Sequence, residues 1–249
     1  MEFPKPRVVF QNQTMMETTK KITRQLENLE NCEKIANAFE PYGWDAGQIF
    51  SMSPTEIHNY VAKIVGSVYD KDYSELFDKT ILYQKTWDKI ASKLYVVLEK
   101  LFDFRFGPEQ FMIANVSLSP VTGYDEKTNT FDGCYKKDAE DNFADWIIML
   151  IQVLWNKKVA EVIKVLGFER NPKVDDIMCK YLTHFAFTLT DIKKFISKSV
   201  SVLPESYVDV VTDGIKLRPH LRNHLKNGIF PFVQNGYELI AINLDLFKE

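Results

Sequence analysis

Two of the four histidines in the chain, His220 and His224, lie four residues apart in the stretch "LRPHLRNHLKNG", residues 217–228. Histidines at i and i+4 on a helix lie on one face and can share a divalent metal such as zinc, provided at least one more ligand arrives from elsewhere. None is local. His184, Cys179, Asp213 or an acid from 125–145 reaches the pair only through folding. With 217–226 helical and Pro219 in the first turn, Leu217, Leu221 and Leu225 form one face. The histidines border that face, and Arg218, Arg222 and Lys226 point away. Three readings stay open. The favoured one is a border pair whose rings pack and hydrogen-bond locally. The others are a metal pair and an anion-binding segment. The third draws on Lys216, Arg218, Arg222 and Lys226, because no acid occurs from Gly214 to Tyr237. Such a segment can meet phosphate, nucleic acid or an acidic partner surface. The glycine-rich phosphate loops "GxxxxGK[ST]" and "GxGxxG" are absent.

The acids gather elsewhere. Asp125, Glu126, Asp132, Asp138, Glu140, Asp141 and Asp145 follow one another closely. "DEKTNTFDG" does not match a calcium loop, since its carboxylates do not alternate and no glycine holds the sixth position. Helix capping and a solvated loop account for most of these residues. Asp145 is the exception, one turn inside an apolar helix and on a face with Gln152. A carboxylate there is paired or titrates abnormally. Arg105, Arg170 or a lysine is its expected partner.

Several chemistries fall away. HExxH is absent. The order strand, long loop, apolar helix is similar to the zincin layout, yet "IIMLIQVLW" carries no ligand residues and implies no activity. There is no GxSxG elbow and no kinase motif set. Cys179 and His184 are five apart on one expected helix, on different sides of it. Cys32, Cys134 and Cys179 form no CxxC and read as free thiols of a reducing compartment.

These residues need elements to position them. Residues 14–40 read as one long amphipathic helix, peripheral to the rest, with Met15, Ile22, Leu29 and Ala36 at sevenfold spacing. Thr14 or Thr18 caps it and "PYGW" ends it. Ser53, Pro54 and Glu56 make a capping box for the next helix, followed by helices over 73–83 and 85–103. "RVVF" near the N-terminus suits a short edge strand or an arm. Residues 111–118 alternate like a strand, and 119–138 form a long acidic loop with a hairpin through "YDEKTNTFDG". A central apolar helix follows from 138, then helices over 159–167, 173–186 and 190–202. Asn235-Gly236 is the dipeptide of type I′ turns and predicts a β-hairpin of 229–234 with 237–245, Pro231 placing its first strand at an edge.

The expected fold is therefore α+β and mainly α-helical: a single domain over 1–249, with a small antiparallel sheet built from 111–118 and the hairpin 229–245. Of the 249 residues 45% are hydrophobic and 26% charged, with a net charge of −3, as in an ordinary soluble globular protein. The longest apolar stretch, 143–155, is shorter than the roughly 20 residues a membrane span needs. The expected location is the cytoplasm, or the host cytoplasm if the protein is viral. Richness in Lys, Ile and Asn suits a low-GC bacterium or its phages.

With no catalytic motif, the leading expectation is a cytosolic protein-interaction module of inhibitor, immunity or adaptor type. It would occlude a protein partner, with Lys216, Arg218, Arg222 and Lys226 in contact and no cofactor. The alternative is a metal-dependent hydrolase or nucleic-acid-processing enzyme using His220 and His224 with a distant ligand.

Overall fold

The structure, a computed structural model, describes residues 7–103, 105, 112–134, 143–189, 211–212, 215–216 and 227–242. It is mainly helical with a small four-stranded sheet. The chain forms two compact units, each discontinuous in sequence. One comprises Pro6–Asp88 and Pro108–Trp146, the other Met1–Lys5, Lys89–Gly107 and Ile147–Glu249.

The first unit holds the sheet. Its strands are β1 (Val8–Asn12), β2 (Met112–Ser117), β3 (Gly123–Asp125) and β4 (Thr130–Cys134), in the order β1-β2-β4-β3. β1 and β4 both run parallel to β2, and only β3 and β4 are antiparallel. The sheet is mixed, which corrects the antiparallel expectation. The β1–β2 pair joins segments about a hundred residues apart, beyond the reach of local turn signals, and β2 reaches β4 by a crossover past β3 rather than by a tight turn. "RVVF" does form the edge strand, and 111–118 does form a strand. The anticipated hairpin through "YDEKTNTFDG" is β3–β4. Its turn has Asn129 left-handed at φ 52°, with Asp125 Oδ1 accepting from the Lys127 amide at 2.9 Å.

One face of this sheet is core. Val8, Phe10, Met112, Ala114, Val116 and Phe131 are all buried. The Phe10 ring meets Trp146 edge-on at 5.2 Å and Tyr83 at 6.0 Å. A Cβ on Gly133 would lie 2.3 Å from the Trp146 ring, so the indole sits directly on the β4 backbone and only glycine admits it. Unpaired edge groups invite pairing with another chain. Gln84 meets this at β1, its Oε1 accepting from the Phe10 amide (2.9 Å) and its Nε2 donating to the Val8 carbonyl (3.2 Å).

The helices of this unit begin with α1 (Met15–Gln25) and α2 (Leu29–Phe39). Thr14 and Glu17 close a capping box on α1. The expected single helix over 14–40 is broken, because Asn28 is extended and its side chain caps α2 at the Glu30 amide. The break also ends the sevenfold stripe: Ile22 and Ile35 are fully buried while Leu29 is 79% exposed. A 3₁₀ turn at Glu40–Tyr42, left-handed Gly43 (φ 88°) and the short α3 (Ala46–Ile49) follow. α4 (Pro54–Phe102) then runs unbroken for 49 residues through the expected gaps near 72 and 84. Ser53 and Glu56 cap it reciprocally, as the sequence implies.

The second unit is helical. It combines the end of α4, most of α5 (Phe143–Leu166), α6 (Pro172–Leu189) and α7 (Ile229–Ile242), with two-residue strands β5 (Val211–Thr212) and β6 (Ile215–Lys216) paired antiparallel. α5 continues through the stretch 159–166 expected as a separate helix. α7 corrects the hairpin expected at 229–245. Ile229, Phe232, Val233, Gly236 and Tyr237 are buried at helical spacing, and that stripe outweighs the turn preference of Asn235-Gly236. Pro231 lies in the first turn, where its missing N–H costs no bond. Asn235 Nδ2 donates back to the Pro231 carbonyl at 2.8 Å. A Cβ on Gly236 would fall 2.1 Å from the Met178 methyl, so the glycine serves close packing of α7 on α6.

Candidate functional site

The residues expected to carry chemistry are placed unevenly. His220, His224, Arg218, Arg222 and Lys226 lie outside the described residues. Lys216 is in β6, Asp145 and His184 are in α5 and α6, and their side chains lie outside the described set. Arg170, one expected partner of Asp145, bonds to Asp175 through Nε and to Asn156 Oδ1 at 2.6 Å. Cys32 and Cys179 are in no disulfide. Among the described residues no three His, Cys, Asp or Glu side chains come close enough to hold a metal, and no helix is long and apolar enough to cross a membrane.

Buried carboxylates missed in the sequence anchor both units. Asp175 accepts from Arg170 and from the Tyr237 hydroxyl (2.5 Å), joining the start of α6 to α7. Burial, then the hydrogen bond to Asp175, pushes the Tyr237 phenol well above its ordinary value. In the sheet unit, Tyr42 donates to buried Asp72. Gln11, Asn115 and Asp132 stand in one row across three strands. Asp132 Oδ1 accepts from Asn115 Nδ2 (3.0 Å) and Gln13 Nε2 (3.1 Å), and lies 3.5 Å from Lys21 Nζ on α1. These donors converge on one oxygen and tie α1 to the sheet.

A cleft of about 480 Å³ opens in the helical unit, lined among others by Lys100, Asp103, Lys158, Glu161, Val165 and Phe230. Lys158 pairs with Glu161 at 3.3 Å. Two cations matched by two acids leave the cleft no net charge preference.

The feature that folding leaves unexplained is on α4 in the sheet unit. Tyr73 (49% exposed), Phe77 (49%) and Ile81 (39%) recur at i, i+4 and i+8, so they form one ridge on one helix face. At the head of that ridge the Tyr69 ring stacks on Tyr73 at 5.8 Å. Its hydroxyl donates to the Gln13 carbonyl (2.5 Å) and meets Thr18 Oγ1 at 2.8 Å. Burial foremost pushes the Tyr69 phenol up to about 12. The exposed Met15 extends the patch, its methyl lying 3.2 Å from where a Cβ on Gly66 would stand. From Gly66 to Ile81 the ridge runs roughly 22 Å at helical rise. Scattered exposed apolar residues are ordinary, whereas a contiguous apolar patch marks an interaction surface.

The rim of the ridge carries both signs of charge. Asp70, Ser74 and Asp78 are exposed along its edge. Lys63 and Lys85, the latter four residues beyond Ile81, are exposed on the same face, whereas Lys71 lies over the Tyr42 ring at 5.3 Å and Lys79 pairs with Glu75 at 3.9 Å.

No family model, curated protein or solved structure matches the chain. The sequence held one signal for the ridge, the spacing of Tyr73, Phe77 and Ile81. It reads the same as a core stripe until the neighbours of the helix are known.

Proposed function

We propose that this protein is a protein-interaction module of inhibitor, immunity or adaptor type, which docks a partner along α4 and occludes the surface it covers. The observation that carries the reading is the exposed apolar ridge of Tyr73, Phe77 and Ile81. Half-exposed aromatic side chains on a rigid helix lose little conformational entropy on binding, and such residues dominate the energy of protein interfaces. The ridge lies within a helix that runs unbroken from Pro54 to Phe102, which sets its backbone spacing before a partner arrives.

The test is site-specific photo-cross-linking in the source cell, with a benzophenone side chain at Phe77 and, as control, at the more exposed Val165. A discrete adduct from position 77 that is absent from position 165 is the expected result. No adduct from 77, or the same adducts from both positions, would overturn the reading.

A further inference from the structure

We propose that Met15 is a modification site: a hydroperoxide oxidises its thioether to the sulfoxide, and the modified surface no longer docks a partner at the head of the α4 ridge. The proposal rests on the docking role given above and adds the regulation of that surface.

Three observations lead there. The first is placement. Gly66 stands two turns before Tyr73 on α4, hence on the same line of the helix. A Cβ there would fall 3.2 Å from the Met15 methyl, so the missing side chain leaves a notch that the methyl fills. Met15 opens α1, where the Thr14–Glu17 capping box fixes its backbone. The second is selectivity. The chain has seven methionines. Among the described residues Met112, Met149 and Met178 are buried and Met52 is half-buried, whereas Met15 is 42% and Met16 62% exposed. Oxidation follows exposure, so the readily oxidised sulfur is gathered at one end of the ridge. The third is polarity. A thioether is apolar and adjusts to an incoming apolar surface. A sulfoxide carries a strong hydrogen-bond acceptor, which costs free energy when a partner covers it unpaired. Met16, the next residue, points about 100° away around α1, so the notch at Gly66 singles out Met15.

The step is balanced with the hydroperoxide as sole oxidant. A sulfur lone pair attacks the terminal peroxide oxygen, and the S–O bond forms as the O–O bond breaks. The proton of the transferred oxygen passes to the leaving oxygen, which departs as an alcohol, or as water from hydrogen peroxide. Sulfur is oxidised by two electrons and the peroxide is reduced by two.

For the test, the full chain carrying the benzophenone side chain at Phe77 is treated with hydrogen peroxide, freed of it with catalase, and irradiated in desalted extract of the source cell. The readout is the treated-to-untreated ratio of adduct within each protein. That ratio should fall about tenfold in the otherwise wild-type chain and in Met16→Leu, and by less than about twofold in Met15→Leu, as a sulfoxide disrupts an apolar interface. Peptide mass mapping should show added oxygen at Met15 and Met16 before Met112, Met149 or Met178. Methionine sulfoxide reductase should restore the adduct.

An undiminished ratio with Met15 fully converted would overturn the proposal while leaving the docking surface standing. So would an equal fall in Met15→Leu, or protection by Met16→Leu in its place. Conversion of Met15 no faster than that of buried Met112 would overturn it without reference to a partner. No adduct from the untreated chain would sink the docking surface, and the proposal with it.

Discussion

α4 has two faces of similar composition and opposite environment. On one, Leu76, Tyr83 and Trp87 are almost wholly buried, with Tyr83 and Trp87 against the Phe10 ring of β1. On the other, Tyr73, Phe77 and Ile81 stand in solvent. Each set is apolar, and each falls at helical spacing. What differs is whether another element lies opposite. Burial of the first set follows from the hydrophobic effect and accounts for its residue types. The second set, 39–49% exposed, obtains only part of that return from folding, so its residue types call for a further explanation.

That contrast can be broken by experiment, and the largest effect belongs to the buried face. Trp87→Ala should cost about 3–5 kcal/mol of unfolding free energy, the usual range for deleting a buried indole, measured by urea denaturation of the full chain. A loss below about 1 kcal/mol, the level of an average substitution, would mean that α4 does not pack on the sheet in solution.

Tyr69, at the border of the two faces, has a pH signature. Burial foremost pushes its phenol from the ordinary 10.0 up to about 12. A raised pKa stabilises the fold fully below the unfolded value, and that stabilisation disappears as pH climbs through the folded value. Melting temperature should therefore fall between about pH 10 and 12, and Tyr69→Phe should flatten part of that fall. Tyr95 and Tyr237 are raised in the same direction, chiefly by burial, and leave the remainder. An unaltered profile in Tyr69→Phe would show that Tyr69 is solvated, and the border would move.

The smallest expected effect is the most telling one. Phe77→Ser should change stability by no more than about 0.5 kcal/mol, as surface substitutions do. A destabilisation of 2 kcal/mol or more in the same denaturation experiment would show Phe77 covered within the chain, and the distinction between the faces would vanish.

Legibility in the sequence followed range. The capping box at Ser53–Glu56 was readable because it needs only two side chains one turn apart, and Thr14 was one of two candidate caps for α1, its reciprocal partner Glu17 going unread. The strand at 112–117, the β3–β4 hairpin and α6 were readable from local periodicity and turn residues. The split at Asn28 was missed because the stripe of Met15, Ile22, Leu29 and Ala36 spans it on paper. α7 was missed for the opposite reason: Asn235-Gly236 is a strong local turn signal, while the deciding fact, Met178 pressed against Gly236, comes from another helix. For the proposed surface, the residues expected at 216–226 do not enter the geometry described above, and the ridge on α4 was hidden in plain periodicity.

By itself, then, the sequence determined where α1, α4 and α6 start, the strands near 8 and over 112–117, and that the fold is mainly helical, because these depend on backbone preferences and side chains within a turn or two. The tertiary structure alone decided that β1 and β4 run parallel to β2, that 229–242 is a helix, and which stripe of α4 remains in solvent. Those outcomes depend on atoms from distant positions meeting in space, and no local pattern distinguishes an apolar stripe that will be covered from one that will not.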